Sequence, residues 1–158
     1  MMHALFENIM KGFLKVWKPP DSKGKGPNGS TLPDEPFVLS KDDWKAMAEQ
    51  IASSNSKVPS TMASRIHDLD NRGFWTAESY SYFAMFLGPI VLKDRLADEY
   101  YNNFLRFSYL VRTLTVLEIP LDSLDELERE IGQWVMEFER LAVPRFSVWM
   151  RKSSFHIL

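Results

Sequence analysis

Apolar side chains recur at helical spacing from the start of the chain: Leu5, Phe6, Ile9, Met10, Phe13, Leu14 and Trp17, with Glu7, Asn8, Lys11 and Lys15 between them. This period predicts an amphipathic helix within residues 1–17, weakened at Gly12 by about 1 kcal/mol relative to alanine. The pattern then stops. Residues 18–36 hold five prolines and three glycines, which remove backbone donors and raise the entropy cost of order. A flexible linker over residues 18–39 is expected, long enough to suggest a tolerated insertion or a join between parts of a larger fold.

A second helix is predicted to start at Ser40, whose hydroxyl can accept from the amide of Asp43. Its apolar stripe is Trp44, Met47, Ala48 and Ile51, and it should end near Ser53 and Ser54. Residues 57–72 are ambiguous, with a short helix over 61–69 as one option. Thr76 opens a stronger helix carrying Tyr80, Phe83, Ala84, Leu87 and Val91, widened by Phe86 and Ile90, and Pro89 should kink or break it. Lys93, Asp94 and Arg95 read as a turn. Residues 97–118 are apolar nearly all round and should form the central, most buried helix.

Ser123 and Glu126 have capping-box spacing. Beyond them Leu124, Leu127, Ile131, Trp134, Phe138 and Leu141 step evenly, as helix-on-helix packing requires. After Pro144 no period holds, so residues 144–158 are expected to be an irregular tail. No stretch alternates as a strand does, and no repeat is present. The expected class is all-α: an irregular helical bundle with a long Pro/Gly-rich loop, with residues 40–143 as its helical domain.

Composition narrows the function. The chain has 158 residues, 45% of them hydrophobic and 13% aromatic, with a net charge of −2. It is the size of one globular domain, and its charge lacks the basic excess of a free-standing nucleic-acid binder. The absence of cysteine excludes a disulfide scaffold, a thiolate zinc site and a cysteine nucleophile. Glu7, Lys11 and Lys15 interrupt what would otherwise pass for a signal peptide. The longest apolar run, residues 82–92, is too short to span a bilayer. A soluble intracellular protein with no membrane association is the expectation.

Candidate chemistry is sparse. His3 and Glu7 lie one helical turn apart on one face; the carboxylate could hold a divalent cation that the imidazole orients, or both could simply be solvated. Asp125, Glu126, Glu128 and Glu130 fall on the polar side of their helix and read as a solvated face. The tail carries Arg145, Arg151 and Lys152 among Phe146, Trp149 and Phe155. That mixture suits either nucleic-acid stacking or a frayed, partner-binding terminus.

The segment Met2-His3-Ala4-Leu5-Phe6-Glu7-Asn8-Ile9-Met10, closing on Trp17, resembles the Met-His…Glu-Asn-(Val/Ile) segment of transposases from CACTA-like DNA transposons, including related fungal elements. Phe74-Trp75-Thr76-Ala77-Glu78, Pro89-Ile90-Val91-Leu92, Tyr100-Tyr101, Phe104, Phe107 and Glu139-Arg140-Leu141-Ala142-Val143 are similar to the helical region that follows in those proteins. The resemblance covers residues 2–143. It implies a nuclear, DNA-acting DDE-type enzyme with an RNase H-like α/β core, in which three carboxylates hold two Mg²⁺ ions. Glu7 is the position matching the third acid, with His3 and Asn8 as neighbours.

The departures from that pattern are as informative as the match. The family's first two acids lie on strands upstream of the Met-His segment, and this chain starts at that segment. Its tail also replaces the family's Cys-containing apolar segment. The resemblance therefore implies a truncated transposase remnant that is not an enzyme by itself. The alternative is a small non-enzymatic helical interaction module. In either case the first helix, lacking a sheet to cover it, is expected to be exposed, loosely docked and available to a protein partner.

Overall fold

The computed structural model describes residues 8–20, 35–54, 66, 68–70, 72–116 and 119–150, with residues 142–150 described by their backbone path alone. Six α-helices run in chain order through these residues: α1 (Lys11–Trp17), α2 (Lys41–Ser54), α3 (Ala77–Tyr82), α4 (Gly88–Val91), α5 (Asp98–Leu114) and α6 (Leu124–Met150). No strand occurs among the described residues. The fold is all-α.

The helix starts follow local chemistry. The Ser40 hydroxyl accepts from the Asp43 amide at 3.0 Å, ahead of α2. Thr76 accepts from the Ser79 amide and Ser79 reciprocates to the Thr76 amide, forming a capping box ahead of α3. Between α4 and α5 the chain turns at Lys93, Asp94 and Arg95, as the sequence predicts, and Asp94 takes a φ of 61°. That left-handed conformation is tolerated by aspartate better than by most side chains.

Pro89 does not break its helix. The backbone stays helical from Ala77 through Val91, with a π-turn at Phe83–Leu87 placed just before the proline. The Gly88 amide reaches back five residues to the Phe83 carbonyl. That wider turn accommodates a ring that would otherwise collide with the carbonyl four residues earlier. The Pro89 carbonyl then accepts the Tyr101 hydroxyl at 2.7 Å, tying α4 to α5. Burial pushes the Tyr101 phenol upward, helped by the charge of Asp94, so the hydroxyl stays a donor.

α5 is the central helix, but it is not apolar all round. Phe104, Phe107, Leu110 and Val111 are buried, whereas Tyr109 is 64% exposed. The box expected at Ser123 is also absent. Ser123 lies in a 3₁₀ turn over Leu121–Ser123, and its hydroxyl donates back to the Pro120 carbonyl at 2.7 Å. Glu126 turns to Arg129 instead, at 3.3 Å. α6 then carries on past Pro144 to Met150, further than its apolar period extends.

The largest departure concerns the first helix. Met10, Phe13, Leu14 and Trp17 are buried, Met10 and Leu14 completely. Phe13 packs on Phe107 at 5.4 Å and Phe138 at 5.6 Å, and Trp17 meets Phe104 edge-on at 5.3 Å. α1 thus sits against α5 and α6, which supply the cover the sequence reading assigned to a missing sheet. Its apolar face is not a free docking surface. The residues on either side of the Pro/Gly-rich segment also meet, because the Leu39 amide donates to the Trp17 carbonyl at 2.9 Å.

Two measurements check this packing. Amides of residues 14–17 should exchange with solvent as slowly as those of residues 104–110, not at the rate of an exposed helix. Gly88 and Gly132 should respond oppositely to alanine. A Cβ on Gly88 would lie 2.6 Å from Phe104 Cζ, whereas one on Gly132 meets nothing within 4 Å. In chemical denaturation Gly88→Ala should destabilise by about 1–3 kcal/mol, and Gly132→Ala should stabilise by about 0.5–1 kcal/mol.

Candidate functional site

The sequence places its candidate metal site at the start of α1 and its candidate nucleic-acid site in the tail. Glu7 and His3 lie outside the described residues, as do Arg151 and Lys152. Arg145 falls on the backbone of α6, and its side chain is outside the description. Asn8, adjacent to Glu7, is exposed on a π-helical turn that leads into α1. After Asn8 the chain is anchored by Met10 and Leu14, both fully buried.

Among the described residues, no group of three His, Cys, Asp or Glu side chains could hold a metal ion. The acidic residues of α6 lie along its exposed side, as their helical positions predict. Asp125, Glu126 and Glu128 are exposed, and Glu126 and Glu130 flank Arg129. A hollow between α1, α5 and α6 is lined by Phe13, Val16, Trp17, Tyr100, Phe138 and Leu141, and holds about 20 Å³. That is room for one water, far from the size of a small-molecule site. No helix among the described residues is long and apolar enough to cross a membrane.

Two polar clusters join segments far apart in the chain, and neither is evident in the sequence. In the first, Asp70 gathers groups from distant segments. Its Oδ1 accepts Lys18 Nζ at 2.7 Å and the Trp44 indole N–H at 3.1 Å. Arg72 lies over the Trp44 ring at 5.7 Å and donates to the Leu69 carbonyl at 3.1 Å. A buried indole requires an acceptor, which signals that Trp44 has a partner without saying which. In the second, Trp134 Nε1 donates to the Asn103 carbonyl at 3.1 Å, while Arg106 and Asn103 both reach Glu137 Oε2. This cluster fixes the register of α6 on α5. Both clusters tie together segments that are distant in the chain.

Comparison of this chain with protein-family models, curated proteins and solved structures gives no match.

The Asp70 cluster gives a pH prediction. Partial burial would raise the Asp70 pKa, but hydrogen bonds from Lys18 and Trp44 and the charges of Lys18 and Arg72 outweigh it, so the carboxyl sits below its ordinary value of 3.8. A lowered folded-state pKa favours the fold while the pH is above the unfolded value, and that contribution disappears as the pH falls through the folded one. Asp70 is 53% exposed, so solvent screening keeps the contribution below about 1 kcal/mol. Asp70→Asn should reduce stability slightly at neutral pH and flatten its decline on acidification below the ordinary carboxylate range, as read by denaturation across pH.

Proposed function

We propose that this chain derives from a CACTA-like transposase, matching the last helix of the RNase H-like region and the helices that follow it, and that these residues do not cut DNA by themselves. The observation that carries the reading joins the sequence resemblance to the packing. Met10, Trp17, Trp75, Val91, Leu92, Phe104 and Phe107, all from segments that resemble the family, meet in one core. The resemblance therefore links pieces that fold together across the long linker, as one inherited unit would.

In this reading Glu7 descends from a metal-holding acid, with His3 beside it, and DNA and the nucleus are the parent's setting. One carboxylate does not clamp two Mg²⁺ ions by itself. Arg145, Arg151 and Lys152 would be remnants of a tail contacting DNA.

A second reading, a non-enzymatic helical module that docks on protein, draws on a separate observation. Phe86, Ile90 and Tyr109 are apolar side chains left in solvent at 47%, 61% and 64% exposure.

The test is direct. The purified chain, incubated with plasmid DNA and Mg²⁺ or Mn²⁺, should leave the DNA intact. Metal-dependent cleavage that Glu7→Ala abolishes would overturn the claim of inactivity. The genomic sequence tests the descent: an in-frame upstream region encoding Asp-bearing strands supports it, and a promoter and leader directly before Met1 favours the module.

A further inference from the structure

The outward stripe of α5 is ordered by charge. Asp98, Asn102, Leu105, Tyr109 and Arg112 follow one another at intervals of four and three residues, with Val116 just beyond the helix end. Such spacing holds residues on one face of a helix. Asp98, Asn102, Tyr109 and Arg112 are exposed, Leu105 is half-buried, and Val116 is 53% exposed. Phe86 extends the apolar surface from the neighbouring helical segment, with the Arg112 guanidinium 5.7 Å from its ring centre. Neither Asp98 nor Arg112 forms an ion pair with a described residue.

We propose that this face binds a second copy of the chain, α5 against α5 in antiparallel order, about a two-fold axis near Leu105. Asp98 stands seven residues before Leu105 and Arg112 seven after it. Turned end for end, the order acid, apolar, base becomes base, apolar, acid. Two copies crossing at Leu105 therefore bring Asp98 of each level with Arg112 of the other, while Leu105 and Tyr109 lie between them. A two-fold interface requires a patch complementary to itself, and this charge order supplies one. Phe86, Ile90 and Val116 would enlarge the apolar contact on either side. The inference is independent of the chain's descent, since it rests on the stripe alone.

Sedimentation equilibrium on the full chain, over a range of concentrations, tests it. The expected result is a monomer–dimer equilibrium. Asp98→Arg and Arg112→Glu should each put like charges opposite one another at both ends and weaken the dimer roughly tenfold or more. The double variant, with both charges exchanged, should recover it to within a few-fold. Circular dichroism shows that each variant is folded. A wild-type chain that stays monomeric overturns the proposal. So does a dimer indifferent to the single changes, or a folded double variant that fails to recover.

Discussion

Phe13 holds the architecture together. Its ring touches Trp17 on its own helix, Phe104 and Phe107 on α5, and Phe138 on α6. Phe107 and Phe138 each meet Trp134 in turn, at 5.3 and 5.4 Å. These six rings come from helices far apart in the chain, and their edge-to-face and stacked contacts add orientation to ordinary apolar burial. A seven-residue helix such as α1 cannot sustain itself in water. It exists because Phe13 and Trp17 are inserted between longer helices. In return Phe13 touches both α5 and α6, so that α1 and the α5–α6 pair form a single unit.

The same cluster shows where the sequence is readable and where it stops. A helix's apolar period says that one side must be covered. It says nothing about what covers it. The stripe from Met10 to Trp17 was therefore visible at once, while its burial against Phe104, Phe107 and Phe138 was not. The Ser40 cap is readable because it is a contact between residues three apart. Ser123 misled for a related reason. The same spacing that makes a capping box also allows a 3₁₀ turn, and the carbonyl left by Pro120 captured the hydroxyl first. Pro89 pointed to a kink or break, and the backbone accommodates it as a widened turn that stays helical.

Functional chemistry was less legible than fold. Glu7 and His3 drew attention through their spacing and through a family likeness, and neither signal describes an assembled site. Arg145, Arg151 and Lys152 were singled out as a mixture of residue types with no period to orient them. The groups that the structure does assemble, Asp70 with Lys18 and Trp44, and Glu137 with Arg106 and Asn103, span 26 to 52 and 31 to 34 residues. Contacts at such separations leave no local pattern. They arise from the path of the backbone, which the apolar period determines only helix by helix.

The hydrogen bond from the Leu39 amide to the Trp17 carbonyl has an architectural consequence. It makes the point where the chain leaves α1 nearly the same point where it returns toward α2. Apart from Lys18, which pairs with Asp70, and the buried Phe37, which packs on Tyr100, the stretch between these anchors can change in length while the helices hold their places, since the entropy of closing it rises only with the logarithm of its length. This stretch is a natural seam: a place where evolution can splice in new sequence, or where an epitope or fluorophore can be grafted, leaving the helices undisturbed.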